Sequence, residues 1–368
     1  MFNRKKILST ILILSLTALT ACSSNTSADT TTDTASESIS VPECEPFTPT
    51  DEMIASTLTE AAENLQSTAD MLYVAPNINE TLSVPTYISK IEDTWFIVDC
   101  YHNQIIYNTE LSDSLYDWKV MTSDCIQPHT IASDGTVYLI DDTENNRVLI
   151  YEKVQASNGE QVFIQTQLFN DIGSRPHYCI YDENTKTFYV WSSTTGELYL
   201  FRHGDNDTRM YLTEIRSIEE LNGIYVRSFT ITDGLITFVS GVNQNGSAPE
   251  ILVCKLSDLS ILERYLVPDE LAGMVQITPI EDKYYITVST DITGNQDYAT
   301  IIRTDSLEEL QKGNYEDIYS TYFVGGGTPY YITHADGSYF LTEHRLTDHQ
   351  IWRFDINSNT PTNITTLY

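Results

Sequence analysis

Residues 128–153, PHTIASDGTVYLIDDTENNRVLIYEK, contain two short runs rich in β-branched and aromatic residues, 137–140 and 148–151, separated by the polar turn 141–147. A third run, 130–132, precedes them across Ser133-Asp134-Gly135. Strand, tight turn, strand, polar turn, strand is an antiparallel meander. One such unit buries too little surface to fold alone, so a chain that repeats it must stack the copies. This chain carries it six times. With Tyr138 as the marker, the counterparts are Phe96, Tyr189, Thr237, Tyr285 and Phe340, at steps of 42, 51, 48, 48 and 55 residues. That spacing is near the length of a four-stranded propeller blade.

Before each marker lies an inner-strand candidate: 85–89, 128–132, 176–180, 227–231, 275–279 and 329–333. After each lies a third strand: 104–107, 147–151, 197–201, 250–255, 299–303 and 350–354. Weaker fourth strands fall at 118–121, 162–168, 210–214, 262–267, 317–323 and 363–367, and 307–312 reads as a helical turn inserted into the fifth copy. The expected fold is all-β, a six-bladed β-propeller of four-stranded antiparallel blades over residues 84–368, with one N-terminal amphipathic helix. The ring is expected to be sealed by the residues after Asn357, as the outermost strand of the last blade or a contact to the first; the run 71–75 is an alternative outer strand.

The run from Trp95 to Val98, followed by Asp99 and then by Asn103-Gln104-Ile105, resembles an NHL repeat. So does the run from Val137 to Asp141, with Asn145-Asn146-Arg147-Val148 and one extra residue in the turn. In the sixth copy Glu343 takes the Asp position and Asp348-His349-Gln350-Ile351 the later one. Ser192, Ser240 and Val288 stand there in copies three to five. The resemblance implies a six-bladed propeller, in agreement with the copy count. Asp99 and Asp141 more plainly accept hydrogen bonds from turn amides, with Arg147 bracing neighbouring loops.

Ahead of the repeats, residues 1–21 have a basic head, Arg4-Lys5-Lys6, an apolar run from Ile7 to Leu19, and small residues before Cys22. The run is too short for a spanning helix and reads as an export signal. Leu19-Thr20-Ala21-Cys22 resembles the lipobox of bacterial lipoproteins, which implies cleavage before Cys22 and lipidation of its thiol. Multiple acyl chains hold a protein on a bilayer far better than one. The expectation is a chain anchored through Cys22 at the extracytoplasmic face of the cell membrane. Residues 22–48, rich in Ser, Thr, Asp and Glu, read as a disordered stalk. Thr48, the last stalk residue, and Pro49-Thr50-Asp51 form a helix-start pattern, and residues 49–75 place Ile54, Leu58, Ala61, Ala62, Leu65, Ala69 and Leu72 at helical spacing. One amphipathic helix packed on the outside of the domain is expected, with contact to another protein as the alternative.

Charge narrows the partners. Acidic residues outnumber basic ones 52 to 20, for a formal charge of −32, or about −35 without the leader. Such a surface repels phosphate backbones, so no nucleic-acid partner is expected. A monomer is expected.

A propeller gathers its innermost strands around a channel, and ligands bind at one mouth of it. The residues just after the inner-strand starts are Thr86, His129, His177, Ser228, Gln276 and Tyr330. His129 and His177 occupy equivalent places in adjacent blades, with Arg175 and Arg227 near by. The candidate ligand-binding residues are therefore His129, His177, Arg175, Arg227, Tyr330 and Gln276. Two imidazoles can hold a divalent metal or move a proton; channel-lining histidines held by hydrogen bonds are the plainer reading. No third metal ligand occupies an equivalent position, no cofactor is called for, and no Ser-His-Asp set can be assembled from spacing. Replacing both histidines by Ala is expected to leave folding nearly intact. Beyond Cys22, five cysteines cannot all pair internally, and Cys100 and Cys125, both in turns, are the candidate disulfide. The function expected is a binding or scaffolding module for a protein, peptide or glycan; the alternative is a metal-dependent lyase or hydrolase working at the channel mouth.

Overall fold

The second run of a repeat, such as Trp95-Phe96-Ile97-Val98, is apolar at consecutive positions, and a strand of that kind must be covered on both faces. A computed structural model, which describes residues 46–56, 65–241 and 248–368, shows how that cover is supplied. Six four-stranded antiparallel sheets follow one another along the chain, and each is made from contiguous sequence. Blade 1 holds β1 (Pro85–Ile91), β2 (Thr94–Asp99), β3 (Gln104–Asn108) and β4 (Lys119–Thr122). Blade 2 holds β5 (Ile131–Ser133), β6 (Val137–Asp142), β7 (Arg147–Gln155) and β8 (Gln161–Phe169). Blade 3 holds β9 (Pro176–Asp182), β10 (Thr187–Ser192), β11 (Glu197–Arg202) and β12 (Tyr211–Ser217). Blade 4 holds β13 (Val226–Thr232), β14 (Leu235–Ser240), β15 (Glu250–Lys255) and β16 (Ile261–Leu266). Blade 5 holds β17 (Met274–Ile280), β18 (Lys283–Val288), β19 (Thr300–Thr304) and β20 (Glu316–Asp317). Blade 6 holds β21 (Thr328–Ala335), β22 (Ser338–His344), β23 (Ile351–Asn357) and β24 (Thr360–Thr366).

Alternation along each strand divides its side chains between two neighbours. In β2, Phe96 and Val98 pack with Tyr138 and Ile140 of blade 2, while Trp95 and Ile97 pack with Phe340 and Ile351 of blade 6. Corresponding clusters fill the junctions of blades 2–3, 3–4, 4–5 and 5–6. The core is therefore a set of six wedges between sheets. Nearer the axis, side chains stitch each blade to the next. Thr86 Oγ1 donates to the His129 carbonyl at 2.8 Å and Thr143 Oγ1 to that of Pro176 at 2.7 Å. Ser228 Oγ donates to Val275 at 2.6 Å, Thr287 Oγ1 to Tyr330 at 2.6 Å, and Thr342 Oγ1 to Thr86 at 2.7 Å. At the remaining junction, between blades 3 and 4, the bond comes from an imidazole described below.

The ring closes where the sequence places the seal. β24 is the outer strand of blade 6, and Gln350 Nε2 donates to Leu82 O at 2.9 Å. Trp118 Nε1 donates to the Tyr368 hydroxyl at 3.0 Å. The alternative run near residue 75 goes elsewhere: Val120 N donates to Ala75 O and Asn77 N to Trp118 O, both at 2.8 Å, extending the outer edge of blade 1.

Several expectations need correction. In blade 2, Asp142 pairs with Arg147 and Asp141 with Val148, just as Asp99 pairs with Gln104 and Val98 with Ile105 in blade 1. Asp142, not Asp141, is thus the counterpart of Asp99, the two turns are equally long, and Leu139 rather than Tyr138 matches Phe96. A slip of one residue exchanges the two faces of a strand. Asp99 Oδ1 accepts from Ser83 N at 2.6 Å and Asp142 Oδ1 from Ile126 N at 2.7 Å, so both carboxylates tie a turn to the loop before it. Arg147 joins them, donating to Asp142 and to Asp124 O.

In blade 5 the stretch 317–323 is strand only at its start, and a helical turn, Tyr319–Tyr322, follows. The insert at Leu307–Gln311 is helical, capped by Ser306 and held by Leu307 and Leu310 in the junction of blades 4 and 5. Cys100 and Cys125 are buried free thiols, as are Cys179 and Cys254. At the N-terminal side, α1 (Asp51–Ser56) and α2 (Leu65–Met71) are helical; the eight residues between them, like the leader, Cys22 and most of the stalk, lie outside the described residues. Ala69 of α2 packs on Ala156, Val162 and Ile164 at the outside of blade 2. Phe47, read as stalk, packs on Tyr211 with the Arg202 guanidinium over its ring.

Candidate functional site

Equivalent positions on the first strands are carried round the axis, so residues far apart in sequence meet at its mouth. His129 and His177 do meet there. Their rings stack with centroids 3.7 Å apart and 29° between planes. Tyr330 covers both, at 6.0 Å from His129 and 6.2 Å from His177. Tyr331, Tyr178 and Tyr87 fill the axis behind them.

The hydrogen-bond network assigns the tautomers. Thr143 gives its hydroxyl proton to Pro176 O, so its oxygen accepts from His129 Nδ1–H at 2.9 Å. His177 Nδ1 faces the Arg227 carbonyl at 3.2 Å and so carries hydrogen, supplying the stitch between blades 3 and 4. His177 Nε2 accepts from the Tyr330 hydroxyl at 3.1 Å. Both rings are neutral. Burial, then the nearby Arg175, push His129 down to about 3, and burial, then His129 itself, hold His177 well below the ordinary range. His129 Nε2 faces the Cys100 sulfur at 4.0 Å, and burial holds that thiol in its protonated form.

These contacts sort the six sequence-predicted residues. His177 is 0 % exposed with both nitrogens engaged, so it is part of the floor rather than a group a ligand can touch. Removing it would orphan the Tyr330 hydroxyl and open a cavity at the axis, which argues against the expectation that the double alanine change leaves folding nearly intact. Gln276 lies in the wall, its Oε1 accepting from Ile332 N at 2.6 Å. Tyr330 and His129, each 6 % exposed, form the ceiling of that floor. Arg175 and Arg227 are half-buried at the rim. Arg175 pairs with Glu144. Arg227 lies over the Tyr225 ring, 4.7 Å from its centroid, and among the described residues no carboxylate is within ion-pair distance of it.

Sequence reasoning missed Tyr225, His344 and Cys100. Tyr225 sits in the link before β13, where no repeat marks it. His344 ends β22 and lies 5.7 Å from Tyr330; burial, then Arg227 and Arg345, lower it to about 4. Its only sequence signal is that it follows Glu343, the sixth copy's Asp-position residue. The mouth is thus a positively biased rim on a neutral aromatic floor, within a chain of formal charge −32. Its chemistry suits an anion. Among the described residues, no group of three or more His, Cys, Asp or Glu side chains is arranged to hold a metal ion.

No family model and no curated protein matches the sequence. Solved structures do resemble the fold. A candidate 6-phosphogluconolactonase of Bacteroides fragilis matches with a TM-score of 0.54 at 11% identity over 77% of this chain and 85% of its own. A second, from Bacteroides uniformis, gives 0.53 at 11% identity over 77% and 86%. A streptogramin B lyase gives 0.50 at 16% identity over 80% and 87%. At such identities the likeness is one of fold alone: this chain is a six-bladed β-propeller, and the solved structures that resemble it include a lyase and candidate lactonases.

Proposed function

We propose that this chain is a membrane-anchored, extracytoplasmic propeller lipoprotein that binds a protein, peptide or glycan partner through an anionic group at the channel mouth. The observation that carries the reading is Arg227, a half-buried guanidinium stacked on Tyr225 that has no carboxylate partner among the described residues of a strongly acidic chain. Arg175, with its fork partly engaged by Glu144, supplies a second cation on the same rim. A carboxylate reaching that rim would gain charge-assisted hydrogen bonds in partial shelter from water. The leader and Cys22 supply the anchor.

The test is calorimetry of the mature chain with citrate and with inorganic phosphate, alongside Arg227→Gln. A lost charged hydrogen bond is worth about 1.5–3 kcal/mol, so binding should weaken at least about tenfold. Equal affinity in the variant, or no binding to the parent protein, removes the reading. An enzyme at the same mouth is the second reading, favoured by His129 Nε2, whose one polar neighbour among the described residues is the Cys100 thiol. Its check is metal content, and activity with and without chelator.

A further inference from the structure

A second concavity lies at the other end of the strands. The mouth gathers residues from the starts of the first strands, whereas Asp233 sits in the turn between β13 and β14, at the opposite face. There, blades 4 and 5 part to leave a cavity of about 380 Å³. Its floor is apolar: Val253 from blade 4, and Ile277 and Leu307 from blade 5, all nearly buried. Its lip carries Asp233, Glu263 and Glu308, all exposed, and the lining includes no Lys, Arg or His.

Protons are short at that lip. The Tyr265 hydroxyl approaches both Glu263 Oε2 and Glu308 Oε1, the latter at 3.2 Å. A phenol has one hydrogen and can serve only one of the two. The other carboxylate then faces a tyrosine lone pair, even though the Ser306 hydroxyl also partners Glu308, and a cation between the two carboxylates relieves that arrangement. The Tyr265 hydroxyl is pushed up by burial and then by Glu263, so it does not ionise near neutral pH and add a further charge.

The geometry points to this cleft as a binding site for a small molecule that carries one protonated amine on an apolar frame. The frame lies on Val253, Ile277 and Leu307, and the ammonium reaches Glu263 and Glu308. A volume of this size falls in the ordinary range for small-ligand pockets. The site is independent of the mouth, which selects the opposite charge.

Calorimetry of the mature chain with phenethylamine, and with 2-phenylethanol as its uncharged counterpart, tests this. The amine should bind at least tenfold more tightly than the alcohol. Glu263→Gln with Glu308→Gln should reduce amine affinity at least tenfold, and Arg227→Gln should leave it unchanged. Both glutamates are exposed, so thermal unfolding of the double variant should stay close to that of the parent. The proposal is overturned if neither probe binds, if the alcohol matches the amine, or if the double variant retains full affinity. Binding of N-acetyl-lysine amide without binding of phenethylamine would overturn it too, by assigning the cleft to a partner protein's lysine.

Discussion

Asp141 is the residue whose protonation state the packing makes testable. It stands where blade 1 has Val98, in the wall between blades 2 and 3, with no exposed surface. Oδ1 accepts from His129 N at 2.6 Å and Thr130 N at 3.1 Å, and Oδ2 meets Thr130 Oγ1. Thr130 also directs its hydroxyl to Cys179 Sγ at 3.2 Å. One threonine proton cannot serve both acceptors, but a protonated Asp141 resolves the count by donating to Thr130 while Thr130 donates to sulfur. Burial accordingly raises the carboxyl from 3.8 to about 8.

The sign follows directly. Between those two values the folded protein holds a proton that the unfolded chain releases, so stability falls as pH rises. The contribution is fully present below the unfolded pKa and is lost through about pH 8. At about 1.4 kcal/mol per unit, the window from pH 5 to 8 is worth about 4 kcal/mol. Asp141→Asn keeps the shape and donates permanently to Thr130. Urea unfolding of parent and variant at pH 5, 6, 7 and 8 should show the parent losing stability relative to the variant by about that amount. Other buried groups, Glu343 and His129 among them, titrate in both proteins and cancel in the difference. Parallel pH profiles, with the variant less stable throughout, would show that Asp141 is ionised and refute the reasoning.

Two further outcomes are expected. His177→Ala should destabilise the ring by about 3 kcal/mol, since it opens a cavity at the axis and orphans the Tyr330 hydroxyl; denaturant midpoints measure this, and a change under about 1 kcal/mol would contradict the floor role. Cys22→Ala should release the protein from membranes or strand it at precursor size, read by fractionation and mass; a variant that stays membrane-bound at mature size would sink the lipobox reading.

Strand positions were legible because apolar runs and polar turns recur at similar spacing along the chain. Glu250–Lys255 matches its expected bounds, and most others differ by a few residues at either end. Blade 2 slipped for a physical reason. Val137–Asp142 is buried at every position, so alternation offers no phase, and two consecutive aspartates fit the signature equally well. At the mouth, the meeting of His129 and His177 follows from equivalent places in adjacent blades. Their accessibility does not. It depends on two blade 6 tyrosines more than 150 residues beyond His177, Tyr330 covering the imidazoles and Tyr331 filling the axis behind them. The cleft between blades 4 and 5 was not legible at all, because the width of a gap between two sheets is set by packing rather than by pattern.

Because every blade is made from contiguous residues, each junction but the last can form as soon as the next blade along the chain has been synthesised. The last junction cannot. Thr342 reaches Thr86 across 256 residues, and Trp118 waits 250 residues for Tyr368. Until then Trp95 and Ile97 face water, with no sheet to cover them. A growing chain therefore carries an adhesive face from its first blade to its last, and contacts of such long separation are slow to form. The seam between first and last blade is where handling by chaperones, or failure to escape aggregation, would be decided.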